Sequence, residues 1–235
     1  MQIIETSLYS SQRTIRDLQE LKSQNVTSIV EPITYMGTPR RFAETYLDDY
    51  ERLIVAEAER CAQVGIEHLT LVGVPAMDAN LVEPAHKALD YIGHYLGRKG
   101  VVGIGEVGFE RMTHEEESVF RRQARMARAT GLPIVVQAPL NGNTEAVHHS
   151  LRILSEEQVK RERILFKGVN ERTISTVLEF GVWAGLTIHP AALTIDRVLR
   201  LVGQFGTGRV MLQSDAGRGY GDPFAVPRTA QALLS

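Results

Sequence analysis

Three side chains in this sequence could carry chemistry together: Glu106 within VVGIGEVGFE (101–110), Lys167 directly after ILF, and Asp215 within LQSDAG. Each is a charged group in an otherwise apolar or glycine-rich run. A buried, unpaired carboxylate is costly or goes neutral, so Glu106 requires a partner or the mouth of a pocket. Three uses of the trio follow from residue chemistry. Two carboxylates can supply oxygen ligands to a divalent cation. A desolvated lysine with a depressed pKa can form a Schiff base, and a carbamylated one can bridge two metals. The plainest arrangement is an ion pair of Lys167 with Glu106 or Asp215, which keeps both carboxylates charged without a metal.

A zinc-type centre would also want histidines. Of the seven in the chain, His68, His86, His94 and His114 fall at strand starts, on helices or in loops, and His148 and His149 fall on a helix. Only His189 stands where a ligand could be, and a loop-anchoring role before Pro190 explains it equally well. GIGEVG (103–108) also fits G-x-G-x-x-G, but that fingerprint needs a helix to begin within the glycines. Here the next helix start is the capping-box pattern at Thr113 and Glu116, so a dinucleotide turn is not expected.

The elements that must position these residues read as alternating strands and helices. The strand candidates are QIIET, TSIVEP, HLTLVGVP, VVGIGEVG, PIVVQAP, RILFKGV, WAGLTIHP and RVMLQSDAG. Helical patterns lie between them, among them TIRDLQELKSQN, YLDDYERLIVAEAERCAQVG, HKALDYIGHYLGRKG and EEESVFRRQARMARATG, with Ile195, Leu199 and Val202 spaced along one further helix face. Gly65, Gly100, Gly131 and Gly181 suit left-handed helix ends. Eight βα units in 235 residues close most simply as a single (β/α)8 barrel spanning 1–235, with an open doubly wound sheet as the alternative. In a barrel, residues at the C-terminal strand ends face the working pocket. Those ends carry Ser7, Tyr9, Glu31, Thr34, Glu106, Gln137, Lys167, His189, Gln213 and Asp215. The expected roles are catalytic for Glu106, Lys167 and Asp215, and ligand-binding for Ser7, Tyr9, Glu31, Gln137, His189 and Gln213.

With 43% hydrophobic and 23% charged residues the chain matches globular proteins rather than disordered or fibrous ones. A net charge of -2 argues against a nucleic-acid surface built on bulk charge. The single cysteine, Cys61, reads as a buried packing thiol and fits a reducing compartment. The N-terminal stretch lacks the pattern of a signal peptide, and no run approaches the roughly 18 apolar residues of a membrane span, so the expected location is the cytoplasm.

The stretches VVGIGEVGFE, FRRQARMARATGLPIVVQAP, NERTISTVLEFGVWAGLTIHP and LQSDAGRGYGDP resemble the TatD-like metal-dependent hydrolases of the amidohydrolase superfamily over nearly the whole chain. SIVEPITYMGTPR and DPFAVPRTAQALL are similar to a branch found among secondary-metabolite gene clusters. The resemblance implies a barrel whose pocket metals activate water to hydrolyse phosphoesters or amides. It also implies a ligand set: H-x-H after the first strand, glutamate after the fourth, histidines after the fifth and sixth, and aspartate after the eighth. Glu106 and Asp215 match their positions. The four histidines fall on Ser7, Tyr9, Gln137 and Gly168 instead. The expectation is therefore a degenerate metal site that binds a small metabolite at the C-terminal face, or a protein partner, without metal-dependent hydrolysis and with no cofactor. The alternative is an active enzyme, either a hydrolase with a divalent metal held weakly by Glu106 and Asp215 or a metal-free lysine or acid/base enzyme.

Overall fold

The computed structural model describes residues 1–138, 144–217 and 221–234. Pro139 of the fifth strand candidate, and residues 218–220 of LQSDAGRGYGDP, lie outside them. Eight parallel strands follow one another in a single sheet in chain order: β1 (Ile3–Glu5), β2 (Val26–Pro32), β3 (Glu67–Val72), β4 (Val101–Gly108), β5 (Ile134–Gln137), β6 (Ile164–Lys167), β7 (Trp183–Thr187) and β8 (Val210–Gln213). Just beyond β1 and β8, a parallel bridge joins Leu8 to Ala216, and the Tyr9 amide donates to the Ala216 carbonyl at 3.3 Å. That contact closes the sheet on itself, so the fold is a (β/α)8 barrel rather than an open sheet.

Helices cover the outside: α1 (Ile15–Ser23), α2 (Ala43–Glu51), α3 (Ala58–Ala62), α4 (Ala76–Ala79), α5 (Val82–Ile92), α6 (His114–Thr130), α7 (Thr144–Glu156), α8 (Ile174–Phe180), α9 (Ile195–Phe205) and α10 (Ala225–Leu234). A π-type stretch, Arg52–Glu57, joins α2 to α3, so the second helical pattern is one rod with a widened turn. The pattern placed over 86–100 begins earlier, at Val82, and ends earlier, at Ile92. Gly93, Gly97 and Gly100 weaken the helix over the rest of that run. Thr113 caps α6 by accepting from the Glu116 amide at 3.2 Å. Gly131 and Gly181 end α6 and α8 with positive φ, whereas Gly65 and Gly100 take positive φ in the turns that lead into β3 and β4. The glycines of GIGEVG lie along β4. Cys61 is buried, and burial pushes its thiol up to about 11.

Ile29, Ile104, Val107, Phe120, Ile134, Val136, Ile164 and Phe166 belong to the main apolar layer between sheet and helices. Their faces fix which strand residues turn inward. On β6, Ile164 and Phe166 pack outward, so Lys167 alternates inward. On β4, strict alternation would set Ile104 and Val107 on opposite faces. A register shift corrects this, because Ile104 pairs with Ile134 and Val107 with Val136. The extra residue on β4 is a β-bulge at Gly105–Glu106, and it lets Glu106 turn inward while both apolar neighbours stay outward. The next pairs, Gly108 with Gln137 and Gln137 with Lys167, bring the strand ends to one level.

Gly168 follows Lys167 with φ +70, and a Cβ there would stand 2.9 Å from both the Ala138 carbonyl oxygen and Gln137 Nε2. Gly168→Ala is expected to lower unfolding stability by about 1–3 kcal/mol through left-handed strain and this overlap. A urea midpoint equal to the parent's would contradict that account.

Candidate active site

At the C-terminal end of the barrel the structure brings Lys167, Glu106, Asp215, Ser7 and Tyr9 into one cluster. The Lys167 ammonium forms an ion pair with Glu106 Oε1 and lies 3.0 Å from Asp215 Oδ1. It also donates to Ser7 Oγ at 2.7 Å. The same Asp215 oxygen accepts from the Ser7 hydroxyl at 3.0 Å and from the Tyr9 hydroxyl at 3.1 Å. Lys167 is 1% exposed by side chain, Glu106 13% and Asp215 24%, so the lysine is the inner member and the carboxylates reach the rim.

The electrostatics follow from that order. Burial lowers Lys167 from the ordinary lysine range, while Asp215 and the more distant Glu5 work to keep it charged. Burial would raise Asp215, but the Lys167 charge and the hydrogen bonds from Lys167, Ser7 and Tyr9 hold it below the usual carboxylate range. Burial and the Asp215 charge push Tyr9 well above its usual range, so its phenol keeps its proton and remains a donor.

Glu5 is a buried acid that the sequence reading missed. It is fully buried on β1, and its Oε1 accepts from the amides of Ser7 and Ser214, each at 3.1 Å. Burial pushes Glu5 up to about 7, against those donors. Its signal in the sequence is parity: Glu5 lies two residues before Ser7, on the same face of an extended chain.

Several expected site residues are engaged elsewhere. Glu31 accepts from the Ser10 amide at 2.7 Å, from the Ser10 hydroxyl, and from the Ser11 hydroxyl at 2.9 Å, and His68 Nε2 lies 3.1 Å from it. This set ties β2 and β3 to the turn after β1. Gln213 is buried and donates to the Thr187 hydroxyl at 2.7 Å. His189 Nδ1 accepts from the Ala191 amide at 3.1 Å, the loop-anchoring arrangement.

Gln137 does reach the rim. Its Nε2 donates to the Ala138 carbonyl at 2.6 Å, and it lines a cavity of about 150 Å³ with Glu106 and Thr34. Tyr35, Met77, Phe109 and Glu110 complete much of that wall. They stand beyond the strand ends, where strand patterning carries no signal. Arg40 fastens the segment holding Thr34 and Tyr35: its guanidinium pairs with Asp78, lies 2.8 Å from Asp49 and donates to the Thr34 carbonyl at 2.8 Å.

The raised Glu5 gives a signed pH dependence. An acid whose folded pKa lies above its unfolded value near 4.5 favours the fold at low pH, and that contribution is lost as pH rises through about 7. Glu5→Gln is expected to gain stability relative to the parent between pH 5 and pH 8, by on the order of 3 kcal/mol at most. Equal differences in urea midpoint at the two pH values would show that Glu5 does not titrate in this range.

No family model matches the chain. It is 28% identical over 218 residues to a metal-dependent hydrolase of Methanocaldococcus jannaschii, covering 92% of this chain and 85% of that protein. The crystal structure of a TatD-like protein from Archaeoglobus fulgidus superposes with a TM-score of 0.81 at 23% identity, covering 98% of this chain and 92% of that one. The phosphotriesterase homology protein of Escherichia coli, solved with phosphate in its active site, shares the fold with a TM-score of 0.67 at 16% identity, over 99% of this chain and 92% of its own. The chain is thus similar over most of its length to a metal-dependent hydrolase, and it shares the barrel fold of the TatD-like protein.

Proposed function

We propose that this barrel is a cytoplasmic, small-molecule-binding member of the TatD-like metal-dependent hydrolase family that works without metal-dependent hydrolysis, its two rim carboxylates neutralised by Lys167 instead of a metal ion. The observation that carries this reading is the buried Lys167 ammonium lodged between Glu106 and Asp215. An ammonium there supplies the positive charge that a divalent ion would bring, and electrostatic repulsion opposes a second cation beside it.

The donor chemistry points the same way. Ser7, Tyr9, Gln137 and Gly168 offer neutral, weak donors or none where the family resemblance calls for imidazoles. Among the described residues, no three Asp, Glu, His or Cys side chains converge into a group that could hold a metal. These residues do not fit a zinc-type centre. The cavity beside Glu106 supports a small-molecule ligand over a protein partner. The stretches similar to the secondary-metabolite branch make a metabolite of that kind the natural setting.

The second reading is a lysine-dependent enzyme, favoured by the burial that lowers Lys167. Ser7, Glu106 and Asp215 screen that amine, so a carbonyl compound would have to displace a carboxylate to reach it. Borohydride reduction in the presence of small aldehydes and ketones is expected to leave the protein mass unchanged. A mass increase mapped to Lys167 would establish the enzyme reading instead.

Untagged protein purified without chelator is expected to carry no stoichiometric metal by inductively coupled plasma mass spectrometry. Near-stoichiometric zinc, manganese or iron, lost in Glu106→Ala or Asp215→Ala, would overturn the counter-ion reading. Lys167→Ala removes one partner of a buried ion pair and is expected to cost about 3–5 kcal/mol of stability.

A further inference from the structure

We infer that the cavity beside Glu106 receives a small organic cation, an amine or guanidinium, whose charged group docks on the carboxylate oxygen that Lys167 leaves free. The inference rests on the counter-ion reading above, because a metal on Glu106 would reverse the charge that the ligand meets.

Lys167 engages Glu106 Oε1, and among the described residues the other oxygen, Oε2, has no hydrogen-bond partner. Glu106 itself forms part of the cavity wall. Two carboxylates share one ammonium in this cluster, which leaves a surplus of negative charge. The wall adds Glu110 and, among the described residues, no basic side chain. Gln137 spends one of its two amide N–H donors on the Ala138 carbonyl, and its carbonyl oxygen can accept from a ligand. The charged groups of the wall are both carboxylates, Glu106 and Glu110, which calls for a cationic donor.

The apolar part of the wall suits the same ligand. Tyr35, Phe109 and Met77 supply two aromatic rings and a thioether, surfaces that can contact both the charge and the alkyl part of an organic cation, which an inorganic ion lacks. The volume, about 150 Å³, is well below the roughly 300–1,000 Å³ of drug-sized sites. It fits a compact alkylamine or alkylguanidine, or one such group at the end of a longer molecule. An anion such as phosphate would meet the surplus negative charge with Lys167 already taken up by Glu106 and Asp215.

Isothermal titration calorimetry on the full chain, with metal content measured on the same sample, tests this with n-propylamine and methylguanidine as probes. The controls are 1-propanol, inorganic phosphate and magnesium chloride. The two cations are expected to bind about tenfold or more tightly than 1-propanol, and phosphate not at all. Glu106→Gln is expected to weaken the cations by about tenfold or more. Ala76→Phe should abolish binding by filling the cavity, and it keeps the test decisive if Glu106→Gln does not fold. Phosphate or magnesium binding in place of the amines, or amine binding that survives Ala76→Phe, would overturn the inference. Metal-free protein that binds neither cation would overturn it while leaving the counter-ion reading standing, and stoichiometric metal would overturn both.

Discussion

A buried ammonium has to be neutralised where it lies, and in this barrel that constraint organises the whole C-terminal rim. Lys167 is carried inward by the alternation of β6, and its partners come from the bulged end of β4 and from the chain just after β1 and after β8. Removing any one of these elements would leave a charge inside the barrel with part of its compensation gone. Such a cluster is a poor source of net stability, since desolvation offsets much of the attraction, but it penalises every arrangement in which the strand ends are out of level. The ion pairs therefore act chiefly on precision.

The same residues lie on the seam of the barrel. β1 and β8 close through the Leu8–Ala216 bridge, with Glu5 receiving amides from both sides of the join. Ser7 sits between the seam and the cluster, bonded to Lys167 and Asp215 by its hydroxyl and to Glu5 by its amide. Closure and site are thus one network. Changes to the polar residues here act on stability and binding at once, and the two are separated only by measuring both.

Buried charge elsewhere in the molecule fastens loops. Glu31 gathers the turn after β1 and His68, and Arg40 ties the segment after β2 to Asp49 and Asp78. These groups are buried like Lys167, and Glu31 and Arg40 are met by neighbours in the chain. What distinguishes Glu106 is that it pairs with the buried lysine and also forms part of a cavity wall. In this fold burial of a charged residue is a weak guide to function, and a carboxylate that also lines a cavity is a stronger one.

Alternating apolar runs, glycine helix ends and eight strand-like segments specify the barrel, because each is a local pattern with its own period. The charged residues at the strand ends are likewise visible as exceptions to those patterns, which is why Glu106, Lys167 and Asp215 stand out before any coordinates. Local pattern cannot show direction or distance. Glu106 faces inward only through a bulge that its own strand does not announce, and Glu31, an equally plausible strand-end acid, is taken up by Ser10, Ser11 and His68. Glu5 and the cavity wall were hidden for the same reason: their significance comes from neighbours far along the chain. The sequence by itself determined the fold class and the chemical types at the rim; only the tertiary structure decided which of them meet, because register and closure are set by pairings between segments as far as 209 residues apart.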